Sequence, residues 1–193
     1  MMSIRLASAT ALCALLGACI IVPIPIPAEV AKDVPFAVTL PAGGTAATAK
    51  ATPLPAATCP RPARTAALQQ AVIAEVNALR ASRGLGALRA SDRLAAIAQN
   101  QACDNATRQI VSHTGSDGRG LTGRATAGGY RWLAVAENVG LGPYGDAKGM
   151  VGLWKASPGH LRNMLNPRVT EAGLGLADHG GEPAWVLDLG RPR

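Results

Sequence analysis

The chain has 193 residues, of which 48% are hydrophobic, and its formal net charge is +7. This length suits one domain of roughly 100–200 residues, and the apolar fraction excludes global disorder. A mean hydropathy of only +0.16, with one conspicuous apolar segment at the start, excludes a protein with many membrane spans. Because the arginines are scattered singly and the chain has one Phe, the basic charge indicates a solvated surface and no nucleic-acid partner.

The first 19 residues are predicted to be an export signal. Arg5 precedes the apolar stretch Leu6 to Ala18, which is too short for a bilayer that needs about 20 helical residues. The stretch ends in Leu16-Gly17-Ala18-Cys19, which resembles the lipobox of bacterial lipoproteins, where the cysteine carries the lipid. We therefore expect an exported protein, extracellular or periplasmic. Two outcomes stay open. In the first, a lipid on Cys19 anchors the protein in the outer membrane and is its only contact with a membrane. In the second, the chain is secreted in soluble form.

Residues 20–62 are predicted to be a linker. In Val22–Pro27 every second residue is proline, which keeps the backbone extended. The mixture of Ala, Thr and Pro that follows has neither a helical nor a strand period. We expect this segment to act as a spacer before the domain.

The four cysteines leave one pair for the folded protein. Cys13 is removed with the signal and Cys19 would be acylated, so Cys59 and Cys103 remain. In an oxidising compartment this pair favours a disulfide bond. A metal site with two thiolates is the less favoured alternative, because neither cysteine belongs to a Cys-x-x-Cys arrangement.

Residues 63–193 are predicted to form the domain, with helices first and a hairpin last. Thr65 is the expected N-cap of a first helix, whose apolar stripe ends at Gly84. Further helices are expected from Ser91 or Asp92 to about Val111, from Leu121 to Gly129, from Asp146 to Ala156, and from Ser157-Pro158 onward. Strands are expected at Gly173–Leu176 and Trp185–Leu189. This order predicts an α+β class with a layered core.

Three polar side chains from separate segments carry the candidate chemistry. His113 follows the second helix, Glu137 lies between Ala136 and Asn138, and His160 lies in the first turn of the last helix. Two imidazoles and a carboxylate can bind a divalent transition metal such as zinc with open positions. A helix N-terminus disfavours protonation of His160, as a neutral metal ligand requires.

Several short motifs in a fixed order resemble one known family. They are Val76-Asn77-Ala78-Leu79-Arg80, Ser112-His113-Thr114, Ala136-Glu137-Asn138-Val139, Trp154-Lys155-Ala156-Ser157-Pro158-Gly159-His160 with Asn163, and Leu165-Asn166-Pro167 leading to Gly173-Leu174-Gly175. Together they resemble the bacterial branch of the CAP superfamily of cysteine-rich secretory proteins, antigen-type allergens and pathogenesis-related proteins. The resemblance covers about residues 63–190, essentially the whole predicted domain.

The resemblance implies a three-layer α-β-α sandwich with a small antiparallel sheet. It also implies a cleft with two histidines and two acidic residues, which binds a divalent metal in some members. His113, Glu137 and His160 match three of these positions. The fourth acid would fall near Ser157, where this chain has no carboxylate, and Glu171 would replace it only if its strand turned it inward.

Three functions are compatible with these residues. The first is a non-enzymatic binding module of the bacterial cell envelope, whose ligand is an unknown protein, peptide or lipid. The second is a metal-dependent hydrolase of peptides or esters, with Glu137 as the general base for a zinc-bound water. The third is a structural cleft with binding elsewhere. The resemblance implies no settled catalytic activity, and the chain has neither a Gly-x-Ser-x-Gly nor a His-Glu-x-x-His motif.

Overall fold

Five strands among the described residues form one sheet at the centre of the domain. The computed structural model describes residues 53–59, 61–143, 145–178 and 180–193, and the backbone of residues 37–39. The strands are β1 Ala37–Thr39, β2 Arg89–Ala90, β3 Trp132–Leu141, β4 Glu171–Ala177 and β5 Ala184–Pro192. Their order in the sheet is β1-β3-β5-β4-β2. All neighbours are antiparallel except the two-residue β2, which runs parallel to β4.

The two predicted strands are present as β4 and β5, whereas β3 was not predicted. The β3 segment has Glu137 and Asn138 at its centre, so it lacks the apolar alternation that indicates a strand. Both polar residues are nevertheless buried, because helices cover both faces of the sheet.

The described residues also contain five helices. They are α1 Thr65–Ala81, α2 Asp92–Arg108, α3 Leu121–Ala127, α4 Ala147–Ala156 and α5 Pro158–Met164. Ser91 caps α2 as predicted, since its side chain accepts a hydrogen bond from the Leu94 amide. Helix α2 ends earlier than expected because Gln109 adopts the left-handed conformation, with φ of 50°. Thr65 is the first helical residue of α1, and Arg64 takes the N-cap position.

The helices form one layer on each face of the sheet. The layer of α2 and α3 packs on one face through small side chains, and the layer of α1, α4 and α5 buries Trp154 and Met164 against the other. Helix α2 approaches β4 closely because β4 has glycine where the two meet. A Cβ atom on Gly173 would lie 2.1 Å from the backbone nitrogen of Ala95. The three-layer α-β-α sandwich implied by the resemblance is therefore confirmed.

The predicted linker contains parts of the fold. Strand β1 pairs with Ala134–Ala136 of β3, although no strand was expected there. Residues 53–59 and Arg61 lie against α2, where Pro55 accepts a hydrogen bond from Asn100 and Arg61 donates one to the Ala95 carbonyl, 2.6 and 2.9 Å long. The predicted disulfide between Cys59 and Cys103 is present and fastens this segment to α2. We call residues 53–59 together with Arg61 the strap.

The predicted signal segment, Cys19 and most of the predicted linker lie outside the described residues. Within the described part of the chain, no helix has the length and apolar character needed to cross a membrane. All described residues belong to one compact unit, Pro35–Arg193.

Candidate functional site

The centre of the site is a buried carboxylate, Glu137, in the middle of β3. Its side chain is only 1% exposed. One oxygen, Oε1, lies 2.7 Å from Nδ1 of His113, and the other, Oε2, accepts a hydrogen bond from Nη2 of Arg124. A buried carboxylate needs such charged or polar partners to offset its lost hydration. Glu137 thus joins a cation from α3 and an imidazole from the loop after α2.

The loop that carries His113 is fixed by hydrogen bonds to its backbone. Gln101 and Asn105, both buried on α2, donate to the Ser112 carbonyl at 2.9 and 3.0 Å. Arg124 donates to the His113 carbonyl at 2.8 Å. With the backbone held in this way, the His113 ring keeps its hydrogen bond to Glu137 and remains 25% exposed at the surface of the site.

The hydrogen bond to Glu137 also selects the tautomer of His113. A carboxylate accepts hydrogen bonds, so Nδ1 carries the proton when His113 is neutral, and the lone pair for a ligand is then on Nε2. This is the arrangement in which an outer carboxylate orients a histidine toward a metal.

His160 enters the site from the opposite layer, on α5. Its carbonyl accepts a hydrogen bond from Asn138 at 3.1 Å. Its Nδ1 is buried and has no hydrogen-bond partner among the described residues. Burial, and then the positive charge of a protonated His113, lower the pKa of His160 below its usual value of 6.5. The expectation of a neutral His160 therefore agrees with its burial and with the neighbouring imidazole.

Two further motif residues hold the edge of β3 beside the site. Asn163 donates hydrogen bonds to the Glu137 carbonyl and to the Asn138 side chain, both 2.9 Å long. Trp154 donates from its ring nitrogen to the Val139 carbonyl at 3.0 Å. These side chains satisfy the backbone carbonyls of Glu137 and Val139, both of which are buried residues of β3. Their role in the motif is to position β3, and through it Glu137.

The structure places a second acid next to Glu137 that the sequence analysis missed. Asp188 lies on β5 directly opposite Glu137 and is fully buried. The sequence does mark Asp188 as unusual, because it is the only charged residue in the apolar run from Trp185 to Leu189. Glu171, considered above as a replacement acid, bonds Arg89 and the Tyr130 hydroxyl and makes no hydrogen bond to the site.

The three predicted metal ligands differ in whether their ligand atoms already face protein partners. Both oxygens of Glu137 are directed at His113 and Arg124, whereas the two histidines approach from different layers. Among the described residues, no group of three or more His, Cys, Asp or Glu side chains could hold a metal ion. A cation held by the two imidazoles would need its remaining ligands from water or a bound molecule, with Glu137 as an outer partner. Metal binding stays a prediction.

Comparison with known proteins identifies the family of the chain and relates its fold to solved structures. The family model described as "CAP: Cysteine-rich secretory protein family" matches residues 73–189, more than half of the chain. No functionally curated protein sequence matches the chain.

Solved bacterial structures share the fold at low identity. An outer surface protein of Borrelia burgdorferi matches with a TM-score of 0.61 and 17% identity, over 70% of this chain and 100% of that protein. An extracellular SCP-domain protein of Bacillus anthracis matches with a TM-score of 0.58 and 22% identity, over 66% of this chain and 41% of that protein. A cysteine-rich secretory protein of Staphylococcus aureus matches with a TM-score of 0.54 and 22% identity, over 67% of this chain and 40% of that protein. The match thus spans about two fifths of the last two proteins.

Proposed function

Because the chain belongs to the CAP family of cysteine-rich secretory proteins, we propose that it is an exported binding module of the bacterial cell envelope. Its ligand binds at His113 and His160, and the module does not turn that ligand over. The observation that carries this proposal is the chain of contacts from Arg124 through Glu137 to His113.

The same contacts disfavour Glu137 as a general base. A base must come within hydrogen-bond reach of the water or substrate from which it takes a proton. The Glu137 side chain is 1% exposed, and its two oxygens already face an imidazole and a guanidinium. Its negative charge therefore serves to hold His113 in one orientation, which is a requirement for binding.

A divalent cation such as zinc is the proposed first ligand. His113 would use Nε2, and His160 would use one ring nitrogen that its lowered pKa keeps unprotonated. When bound, zinc would supply a Lewis acid whose open positions accept an oxygen or nitrogen atom of a protein, peptide or lipid. Glu137 would raise the basicity of His113 from outside the coordination shell.

A second candidate function, hydrolysis, is favoured by the hydrogen bond between His113 and Glu137. A carboxylate that orients an imidazole is also the arrangement that prepares a histidine to act as a general base. In this case His113, and not Glu137, would take the proton from water. Turnover of peptide or ester libraries that is lost in His113→Ala would establish this function.

Export rests on the amino-terminal sequence and on the disulfide, which persists in oxidising compartments. We propose that the mature chain begins at a lipidated Cys19. Cell fractionation tests the anchor, since Cys19→Ala should release the protein from membranes, and unchanged partition would contradict lipidation.

Zinc titration by calorimetry tests the binding site directly. The chain from residue 20 onward, with its disulfide intact, should bind one zinc ion. His113→Ala and His160→Ala should abolish binding, and Glu137→Gln should weaken it by about 10–100-fold because an outer-shell partner is changed. His179→Ala, which alters the remaining histidine of the chain, is the matched control and should bind as the parent does. If the parent does not bind zinc and the variants are only less stable, the histidines are architectural.

A further inference from the structure

Asp188 and Glu137 form a pair of acidic side chains in the interior of the domain. They are directly opposite each other in the pairing of β3 with β5, so their side chains lie on the same face, with Cβ atoms about 5 Å apart. Both residues are 0% exposed. Two acids at this separation, away from water, require partners that offset their charge.

The available partners are unequally divided between the two acids. Arg124 donates to Glu137, and the second Glu137 oxygen faces His113. Neither carboxyl oxygen of Asp188 has a hydrogen-bond donor among the described residues. The residue opposite Asp188 on β4 is Gly173, which has no side chain to offer. The charged groups that act on Asp188 are Glu137 and, more weakly, Arg124.

An ionised Asp188 would be a buried carboxylate without a hydrogen bond, beside a second carboxylate that repels it. A proton on Asp188 removes both problems. The neutral acid has an O–H group, and the neighbouring Glu137 carboxylate can accept its hydrogen bond. Consistent with this, burial and the charge of Glu137 raise the pKa of Asp188 well above its ordinary value of 3.8.

We propose that Asp188 is a positioning residue of the site, a neutral acid that donates a hydrogen bond to Glu137 and so fixes the carboxylate that orients His113. Glu137 then has three partners on its two oxygens, namely Arg124, His113 and Asp188. An apolar residue at position 188 would leave the Glu137 carboxylate with two. This inference deepens the proposed binding function. It rests on that function only where it takes the orientation of His113 to serve ligand binding.

Nuclear magnetic resonance of the metal-free chain tests the proposal. The carboxyl carbon of Asp188, labelled with ¹³C, should have the frequency of a neutral acid at pH 6, where an ordinary aspartate is ionised. Long-range ¹H–¹⁵N spectra should show His113 with its proton on Nδ1. A carboxyl frequency typical of the ionised form at pH 6 would overturn the proposal.

Two substitutions separate positioning from simple filling of space. Asp188→Asn replaces a neutral donor by a neutral donor, so His113 should keep its proton on Nδ1 and the zinc affinity should match that of the parent. Asp188→Leu keeps the branched shape of the side chain but removes the donor, and should lower the zinc affinity about tenfold. Asp178→Asn, at an exposed position between β4 and β5, is the control. It should change neither the His113 tautomer nor the zinc affinity.

The outcomes of these experiments are distinct. If Asp188→Asn moves the His113 proton to Nε2, or lowers the zinc affinity as much as Asp188→Leu does, a neutral donor at position 188 does not hold Glu137, and the proposal would be wrong. If Asp188→Leu does not fold, the carboxyl frequency and Asp188→Asn still test it. If the parent chain binds no zinc while Asp188 proves neutral, the proposed function fails and the positioning role of Asp188 stands.

Discussion

At the scale of single residues, buried charges in this domain are satisfied by groups that are distant in the sequence. Glu137 has its cation on α3 and its imidazole in the loop after α2. The sequence motifs identified Glu137, His113 and His160, because each lies in a recognisable stretch. Arg124 and Asp188 could not be assigned to the site, because nothing local connects them to Glu137. Their contacts exist only once β3 has paired with β5 and α3 has packed on β3.

Arg80 is a second buried cation, and the described residues give it carbonyl acceptors. It donates hydrogen bonds to Gly86, Met164, Asn166 and Val169, at distances from 2.8 to 3.3 Å. Burial lowers its pKa below the ordinary value of an arginine, yet a guanidinium keeps its charge in proteins. One side chain at the end of α1 thus fastens the loop between α5 and β4.

We expect Arg80→Met to destabilise the domain by about 3 kcal/mol or more, because four carbonyls lose their donor at once and two of them, at Met164 and Val169, are buried. Urea unfolding followed by tryptophan fluorescence measures the change. Arg80→Lys should recover only part of the loss, since one ammonium group does not reach all four acceptors. Arg83→Met, at an exposed position near the end of the same helix, should stay within about 0.5 kcal/mol of the parent. Equal stability of Arg80→Met and the parent would contradict this role.

At the scale of elements, the interface of α2 with β4 is made by residues that lack bulk. The buried face of α2 includes the small residues Ala95, Ala98 and Ala102, and it packs closely on β4. What the sequence could not indicate was the partner. Gly173 and Gly175 alternate along β4 and face the backbone of α2, where a Cβ atom would lie 2.1 Å and 2.3 Å from it. Glycine is needed here for close approach.

Gly173→Ala should therefore destabilise the domain by about 3 kcal/mol or more, because backbone cannot move aside as a side chain can. Gly152→Ala provides a matched control in α4, where a new Cβ would meet no atom within 4 Å. That variant should be more stable by about 0.5–1 kcal/mol, since alanine is the better helix former. Thermal and urea unfolding of both variants measure the contrast. A Gly173→Ala variant as stable as the parent would show that α2 can move away from β4.

At the scale of the whole molecule, the strap extends the domain beyond the boundary that the sequence indicates. Its backbone and the Arg61 side chain bond α2, and the disulfide joins positions separated by 44 residues. Composition favoured a linker here because proline, alanine and threonine give no periodic signal. The strap is held by contacts with α2, and such contacts leave no period in the sequence.

Reducing the disulfide should lower the free energy of unfolding by about 2–4 kcal/mol, since the unfolded chain gains the freedom of an open loop. The double variant Cys59→Ser with Cys103→Ser should match the reduced parent, and adding reductant to it should change nothing further. Urea midpoints of the four samples give the comparison. If the reduced and oxidised parent unfold at the same midpoint, the disulfide does not contribute to stability.

Features that depend on neighbouring residues could be predicted from the amino-acid sequence. Helix periodicity, the Ser91 cap and the two terminal strands each follow from a few adjacent positions, a count of the cysteines left one pair, and the ordered motifs indicated the family and three candidate site residues. The folded domain was needed to show that Glu137 lies on a strand, that Arg124 and Asp188 are its neighbours, and that the strap belongs to the fold. The physical reason is burial. A polar or irregular segment is ordered by partners brought together from distant parts of the chain, and local sequence patterns do not encode those partners.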